Sequence, residues 1–288
     1  MTKALEALIE LLDLENIEVN IFRGLSPDER RQRVFGGQVA GQALVAAGRT
    51  VERGTVHSLH AYFLRPGDPM VPILYTVDRI RDGKSFTTRR VVAIQHGKAI
   101  FNLSASFHVA EDGPNHQIPM PKVPDPETLP TMRERMEPFK DQLGDWYDRP
   151  QAIDFRYVTP TPLERGVSGE AMPPRQQVWI RADGELPDDP LLHACVVAYE
   201  SDFTLLDTTL LPHGMGGWND ASGLMMASLD HAMWFHRSFR ADEWLLYDMD
   251  SPTTYGARGL ARGMIYSQSG DLVVSVVQEG LIRPVRPT

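Results

Sequence analysis

The chain has 288 residues, of which 42% are hydrophobic and 23% are charged; this length and composition suffice for a buried core in one large or two ordinary domains and exclude a disordered chain. Its 29 basic and 38 acidic residues give a net charge of −9, which argues against general nucleic-acid binding because that needs a basic footprint. The single cysteine, Cys195, excludes an internal disulfide bond and fits a reducing cytoplasm.

The first residues have the pattern of an amphipathic helix. Leucine and isoleucine recur at helical spacing, at Leu5, Leu8, Ile9, Leu11 and Leu12. Acidic residues interrupt this run and no basic region precedes it, unlike in a signal peptide. No apolar run in the chain approaches the roughly 18 residues of a membrane span. We therefore expect a cytoplasmic protein without stable membrane insertion.

The first half predicts one helix followed by four long strands. Residues 35–48 have helical spacing and are rich in glycine and alanine, as in an ordinary core helix or in a helix wrapped by a sheet. In the second case Gly36 and Gly37 would leave backbone amides free at the helix start. Four strand-like runs follow, at residues 57–65, 71–81, 85–95 and 98–109. Short turns between them, such as Asp82-Gly83, predict an antiparallel sheet.

A proline-rich segment separates the two halves. Eight of the 22 prolines fall between residues 111 and 150, and prolines interrupt both helices and strand ladders. We predict a linker with one short helix near residues 132–143. The predicted domains are therefore an N-terminal unit at 1–110, a linker at 111–150 and a C-terminal unit at 151–288.

The second half repeats the plan of the first. A strand is predicted at 176–182, a helix at 190–199, and strands at 226–236, 243–250, 255–267 and 271–282. Ser228 stands 170 positions after Ser58, and Gln278 stands 172 positions after Ser106, as in a duplicated unit with small insertions. Two helix-plus-sheet halves in one chain predict two sheets joined edge to edge.

Three polar side chains lie at the edges of apolar runs in the second half: Asp202, Ser228 and Gln278. Taken singly they could be a solvated capping carboxylate, a small strand residue and a satisfied core amide. Strand alternation predicts that Ser228 shares a face with Asp230 and Trp234, while His231 faces the other way. Asp230 and His231 are therefore not expected to form a catalytic pair.

Together the three side chains favour hydrolysis by an oriented water. A carboxylate can accept a proton from water, and a hydroxyl and an amide can hold the water and the carboxylate in register. Such a site suits a reactive electrophile, for which a thioester fits better than an amide. The oxyanion would need preorganised donors, for which backbone amides at a helix start are suitable. The first half has Ser58 and Ser106 at the matching positions, so we predict one complete site, where the halves meet.

Other chemistries have weaker support. No G-x-S-x-G motif occurs, which argues against an α/β-hydrolase nucleophile. Cys195 lies among apolar residues and is expected to be inert. His57 and His60 alternate along a strand, so no metal site is predicted, and no cofactor is expected. A basic hairpin is either a solvated face or a receiver of substrate phosphates; it comprises Arg79, Arg81, Lys84, Arg89 and Arg90.

Several segments in order resemble the acyl-CoA thioesterase II family, the TesB-like double-hotdog enzymes. They are FGGQVAGQAL, HSLHAYFLRPGDP, DGKSFTTRRV, SDFTLLDTTLLPHG, ASLDHAMWFHRSF, EWLLY and VVQEGLIR. The resemblance implies an α+β tandem hotdog in which each half wraps an antiparallel sheet around a central helix. It implies hydrolysis of acyl-CoA to fatty acid and CoA by an aspartate, a serine or threonine, and a glutamine, which match Asp202, Ser228 and Gln278. It also implies association into dimers or tetramers.

Two alternative functions stay open on the sequence. A hotdog enoyl-CoA hydratase would need an aspartate and a histidine a few residues apart, yet Asp207 follows Asp202 and no histidine occurs before His213. A non-catalytic acyl-CoA-binding protein would not need a base beside a held water. Chain-length preference depends on an apolar tunnel, for which we expect walls that include Met225, Met226, Trp234 and Phe235.

Overall fold

A computed structural model describes residues 1–27, 32–215 and 223–284, and the predicted amphipathic helix is its first element. Helix α1 spans Lys3–Leu12, and it buries Leu5, Leu8 and Leu12. A short antiparallel hairpin follows, with β1 at Glu15–Glu18 and β2 at Ile21–Gly24. This hairpin was not predicted, because four-residue strands are too short to establish an alternating pattern.

The first half has the predicted helix and four strands, and each boundary lies within two residues of its prediction. They are α2 at Gly36–Gly48, β3 at Thr55–Phe63, β4 at Ile73–Asp82, β5 at Phe86–Gln95 and β6 at Lys98–His108. All residues of α2 from 37 to 47 are buried, so this helix is surrounded on every side. The sheet-wrapped interpretation of α2 is therefore correct, since an ordinary surface helix would leave one face in water.

The linker contains two short helices where one was predicted. Helix α3 spans Met132–Met136 and α4 spans Lys140–Leu143, with a 3₁₀ turn at Glu137–Phe139 between them. Pro138 explains the interruption, because proline lacks the N–H that a continuous helix would use and its ring clashes with the preceding turn. Further 3₁₀ turns lie at Pro126–Thr128 and Gly144–Trp146.

The second half repeats the plan with additions at its start. Its elements are β7 at Ile153–Tyr157, α5 at Pro162–Ser168, β8 at Arg175–Ala182, α6 at Pro190–Thr204, a 3₁₀ helix at Leu206–His213, β9 at Leu224–Ser228, β10 at Asp230–Phe235, β11 at Leu245–Tyr255, β12 at Arg258–Ser267 and β13 at Leu272–Pro284. Three predictions need correction: α6 continues past residue 199, the strand predicted at 226–236 is divided into β9 and β10, and the strand predicted at 243–250 continues to Tyr255, so that the next one begins at Arg258.

In the part of the chain that the structure describes, one sheet of 13 strands runs through both halves. Its order is β1-β2-β4-β5-β6-β3-β10-β13-β12-β11-β8-β7, with β9 also paired to β13. Antiparallel pairing of β3 with β10, from Tyr62 opposite Asp230 to Ser58 opposite Trp234, joins the two halves, as predicted. Helices α2 and α6 pack against each other inside the curved sheet. In the described ranges, every helix is too short or too polar to cross a membrane.

The two halves repeat with a register that differs from the predicted one. An ion pair between Asp78 and Arg90 across β4 and β5 recurs between Asp250 and Arg262 across β11 and β12. Each member of the second pair stands 172 positions after its counterpart. The duplication is therefore clearest in this cross-strand ion pair, which stabilises its half of the sheet locally.

The predicted matches of Ser58 to Ser228 and of Ser106 to Gln278 are wrong. Ala105 lies opposite Arg89 as Gln278 lies opposite Ala261, so Ala105 is the counterpart of Gln278. By the same register Val56, opposite Phe107, is the counterpart of Ser228, opposite Gly280. Both counterparts are buried and apolar. The first half therefore has no hydroxyl–amide pair at these two positions.

Candidate active site

The three predicted polar residues converge on one carboxylate. Ser228 Oγ, at the end of β9, donates a hydrogen bond of 2.9 Å to Asp202 Oδ1. Gln278 Nε2, in the middle of β13, donates to the same oxygen. The backbone N–H of Gly37, in the first turn of α2, donates to the same carboxylate. The structure thus brings together all three side chains, and it adds a backbone donor from the first half of the chain.

Asp202 occupies the last turn of α6, whereas the sequence placed it after the helix. The segment 200–204 contains no glycine or proline, so nothing in it stops the helix at residue 199. The carboxylate lies against the start of α2, where N–H groups without helical partners stabilise negative charge. Solvated capping is therefore not the role of Asp202.

Two glycines permit this close approach of α2 to α6. A Cβ atom on Gly36 would lie 2.6 Å from Asp202 Oδ2, and a Cβ atom on Gly37 would lie 2.1 Å from the Tyr199 carbonyl oxygen. The predicted free amides need one correction, because the Gly37 N–H is bonded to Asp202. Glycine is required here for lack of space rather than for an unusual backbone conformation.

Ser228 faces the helices because of a bulge between β9 and β10. Ser228 lies opposite Gly280 on β13, whereas Met233 lies opposite Val276 and Trp234 lies opposite Ser275. Partners on adjacent strands share a face, so Ser228 shares its face with Met233 and not with Trp234. The predicted alternation is wrong at this point, because one extra residue shifts the register.

Gln278 is completely buried, and its amide is only half satisfied. Its Nε2 is bonded to Asp202, while its Oε1 has no hydrogen-bond partner among the described residues. A buried acceptor without a partner costs free energy unless water or a ligand fills the gap. The Gln278 amide therefore fixes the Asp202 carboxylate through its donor.

The pKa of the Asp202 carboxyl group is shifted toward neutral pH. Burial raises the pKa of Asp202 to about 6, against the opposing hydrogen bonds from Gln278, Ser228 and Gly37. A carboxylate with a pKa just below the working pH is both ionised and basic enough to take a proton from water. The arrangement can therefore deprotonate a bound water without first forming a covalent intermediate.

A cavity of about 670 Å³ opens beside Asp202 and Ser228, with walls from both halves. This volume is typical of a site for a small organic ligand. The walls are largely apolar and include Phe35, Val39, Phe63, Leu206, Met225 and Met226. Gln278 is not among the lining residues, so it reaches the site through Asp202.

Two of the four predicted wall residues lie elsewhere. Met225 and Met226 line the cavity, but Trp234 packs edge-on against His60 with ring centroids 5.2 Å apart. Phe235 stacks with Phe239 instead. The bulge after Ser228 explains why Trp234 does not line the cavity. It places this side chain on the face of the sheet opposite the helices.

The basic hairpin is not simply a solvated face. The Arg89 side chain is 1% exposed and donates to Thr50 Oγ1, to the Thr50 and Arg81 carbonyls and to Asp82. Burial of a guanidinium is possible here because these partners satisfy its donors. Arg79 and Lys84 line a separate polar cavity of about 260 Å³ near Thr50, beyond the C-terminal end of α2 and hence away from Asp202.

Asp230, His231 and Cys195 behave as the sequence indicated. His231 bonds Ser201 Oγ at 2.8 Å in the core, whereas Asp230 accepts from the Glu279 N–H, so these neighbours do not form a pair. Cys195 is buried, and burial raises the pKa of its thiol. Across the described ranges, no group of three or more histidine, cysteine, aspartate or glutamate side chains could hold a metal ion.

A second carboxyl group in the cavity escaped the sequence reasoning. Asp207 lines the same cavity as Asp202, and burial raises its pKa to about 7 while nearby Arg165 opposes that shift. The sequence showed only an aspartate five positions after Asp202, within a segment of uncertain conformation. Its position in the 3₁₀ helix that continues from α6 is what directs it into the cavity.

Comparisons with known proteins agree on one family. A family model described as acyl-CoA thioesterase matches residues 147–281, and one described as the acyl-CoA thioesterase N-terminal domain matches residues 26–108. The chain is 43% identical to Acyl-coenzyme A thioesterase 8 of Homo sapiens, with 96% of this chain and 88% of that protein covered.

Solved structures give the same result for the fold. The chain is similar to an acyl-CoA thioesterase II, TesB2, from Mycobacterium marinum, with a TM-score of 0.78, 47% identity and coverage of 96% of this chain and 97% of that one. A hot dog fold protein from Alicyclobacillus acidocaldarius matches with a TM-score of 0.77 at 18% identity, covering 98% and 99%. The predicted α+β double hotdog is therefore confirmed.

Proposed function

The chain belongs to the acyl-CoA thioesterase family and is a thioester hydrolase, and from this premise we propose that it cleaves fatty acyl-CoA with a water molecule activated by Asp202. One observation carries the proposal: Ser228, Gln278 and the Gly37 N–H all bond a single carboxylate that opens onto a ligand-sized apolar cavity. A metal or a covalent nucleophile is not needed for this chemistry.

In the proposed first step, Asp202 removes a proton from a water molecule held beside Ser228, and the hydroxide attacks the thioester carbon. Ser228 can accept or donate a hydrogen bond to this water because its hydroxyl has two lone pairs besides its proton. Gln278 holds the carboxylate from behind. Its buried position behind Asp202 suits this role better than direct contact with the substrate.

The start of α2 is the proposed source of the oxyanion donors. Gly36 lines the cavity, and its N–H lies in the first turn, where amides have no partner within the helix. The residue that precedes the helix, Phe35, supplies no side-chain cap. Donors fixed in this way stabilise charge as it develops, since they need no reorganisation during the reaction.

The activity is expected to fall as the pH drops through about 6. Burial raises the pKa of Asp202 to about 6, and only the ionised carboxylate can act as a base. Below that pH, kcat/KM should decline tenfold per pH unit. A pH–rate profile with saturating and limiting acyl-CoA measures this. A plateau that continues down to pH 4 would remove Asp202 from the rate-determining step.

The hydroxyl group of Ser228 is expected to matter more than its size. Ser228→Ala should lower kcat by about 10–100-fold, since a positioned hydrogen-bonding group contributes on this scale. Ser228→Thr keeps the hydroxyl and should retain at least a third of the wild-type kcat. Steady-state kinetics on both variants make the comparison, and equal losses would indicate a packing role instead.

The competing functions give different products in the same assay. Thioesterase activity releases free thiol from medium- and long-chain acyl-CoA. A hydratase would remove enoyl absorbance and leave the thioester intact, and a sensor would bind acyl-CoA without releasing thiol. The hydrogen-bond partners of Asp202 in the described part of the chain include no histidine, which favours hydrolysis over hydration.

We also propose a cytoplasmic enzyme that assembles into dimers or tetramers. Tyr62, at the central β3–β10 junction, is 58% exposed on the outer face of the sheet, and large exposed apolar side chains are common at protein interfaces. Light scattering after gel filtration determines the assembly, and a purely monomeric enzyme at micromolar concentration would contradict it.

A further inference from the structure

Two carboxyl groups face the same cavity from consecutive helical turns. Asp202 lies in the last turn of α6 and Asp207 lies in the first turn of the following 3₁₀ helix, and both line the cavity. Five residues at 1.5–2.0 Å of rise place their backbones roughly 8–10 Å apart along the axis. Both side chains line the cavity, so a ligand bound there can contact both.

The two groups have opposite surroundings. Asp202 accepts three hydrogen bonds, whereas Asp207 has no hydrogen-bond partner within the described ranges. A carboxylate held by several donors favours its ionised form, and one without donors favours its protonated form. The contrast assigns a basic role to Asp202 and an acidic role to Asp207.

A buried guanidinium group, that of Arg165, interacts electrostatically with Asp207. Arg165, on α5, is 3% exposed, and its Nε has no partner among the described residues. Its one hydrogen bond to a side chain, from Nη1 to Gln176 Oε1, is long at 3.4 Å. Arg165 interacts electrostatically with Asp207 and with Tyr157 without a hydrogen bond to either. It can therefore stabilise a carboxylate that forms at Asp207 during turnover.

The titration of the two carboxyls agrees with this division. The pKa of Asp207 is raised to about 7 and that of Asp202 to about 6, in both cases by burial. The neighbouring Glu200 is also buried, and burial raises its pKa well above the ordinary value.

We propose that Asp207 is the general acid that protonates the CoA sulfur during hydrolysis. The inference rests on the proposed function, in which Asp202 activates the water. As the tetrahedral intermediate collapses, the oxyanion reforms the carbonyl, the C–S bond breaks and its electron pair passes to sulfur. The Asp207 proton passes to the same sulfur, which gives free CoA thiol and an Asp207 carboxylate near Arg165. To complete the cycle, Asp202 loses to solvent the proton it took from water, and Asp207 takes one proton back from solvent. The fatty acid leaves as its carboxylate, so one proton is released per turnover.

The test compares two thioesters of the same fatty acid. One carries CoA, whose alkyl thiolate is a poor leaving group, and the other carries 4-nitrothiophenol, whose thiolate leaves without protonation. Asp207→Asn should lower kcat/KM at least about 100-fold with acyl-CoA, in the range of general acid catalysis, and less than about threefold with the aryl thioester. Asp207→Ser should give the same contrast with a smaller side chain.

The ratio of the two rates on one preparation does not depend on how much of the variant is folded. Equal losses on both thioesters would show a structural role, and an undiminished rate with acyl-CoA would remove Asp207 from the reaction; either result overturns the inference. Asp202→Asn provides the distinction from the proposed function, because it should slow both thioesters alike. If Asp202→Asn left both rates intact, the proposed function would fail regardless of the Asp207 result.

Discussion

Replacing Asp202 with asparagine is expected to lower kcat by about 10²–10⁴-fold, the usual contribution of a positioned general base, and to leave the fold intact. Asparagine has nearly the same shape and retains one oxygen that can accept from Ser228 and Gln278, but it cannot take a proton from water. Thiol release from acyl-CoA measures the loss. Asp188→Asn serves as the matched control, since the Asp188 side chain is 95% exposed and its variant should keep kcat within twofold.

The same variant should be more stable than the wild type at neutral pH. The pKa of Asp202 is about 6 in the folded protein against an ordinary value of 3.8, so the folded state binds more protons than the unfolded state between these pH values. Wild-type stability therefore decreases as the pH rises from about 4 to 6. The asparagine side chain does not titrate, so Asp202→Asn should gain about 1–3 kcal/mol at pH 7.5.

That gain should disappear below pH 4, where Asp202 is protonated in both states. Chemical denaturation at pH 7.5 and pH 4 measures the difference. A variant that is less stable than the wild type at pH 7.5 would show that the three hydrogen bonds outweigh the cost of burying the charge. A stabilised but inactive variant would be a direct case of free energy stored at an active site.

Gly37→Ala is the second substitution with a large expected effect. In a helix interior this change normally stabilises by up to about 1 kcal/mol, but here the new Cβ would lie 2.1 Å from the Tyr199 carbonyl oxygen. Backbone cannot yield as a flexible side chain can, so α2 and α6 must separate. We expect a loss of about 2–3 kcal/mol in the free energy of unfolding, the scale of overpacked cores.

The displacement should also reduce activity, because the Gly37 N–H is one of the three donors to Asp202. We expect kcat to fall at least tenfold in the fraction that is folded. Gly113→Ala is the control: its Cβ would meet nothing within 4 Å, and stability should change by less than about 0.5 kcal/mol. If both substitutions changed the free energy of unfolding and kcat by equally small amounts, the close contact between α2 and α6 would not be required for stability or activity.

Most of the framework could be predicted because its elements are long and regular. Strands β3 to β6 and helix α2 were located within two residues, since alternating runs of about ten residues and clear turns leave little ambiguity. The meeting of Asp202, Ser228 and Gln278 could also be anticipated, because polar side chains at the edges of apolar runs must find partners when buried. Their catalytic role stays a prediction that the variants above test.

The errors have local causes that a residue pattern does not contain. One inserted residue after Ser228 reverses the faces of β9 relative to β10, and alternation assumes that no such insertion exists. Pro138 divides a helix whose two parts keep their predicted positions. Arg89 was expected on a hairpin that is either solvated or binds substrate phosphates, because burial of a guanidinium depends on distant partners such as Thr50, which only the fold reveals.

The apolar counterparts of Ser228 and Gln278 illustrate what fusion of the two halves makes possible. In a symmetric pair of identical subunits, every substitution occurs twice. A residue that is beneficial in one subunit must therefore also occupy the equivalent position of the other subunit. A single polypeptide escapes this constraint, and Val56 and Ala105 can fill the first half with hydrocarbon while their equivalents bind a carboxylate. Because the two halves are covalently linked, the first half can keep apolar core residues at these positions while the second half carries the polar residues that bind Asp202.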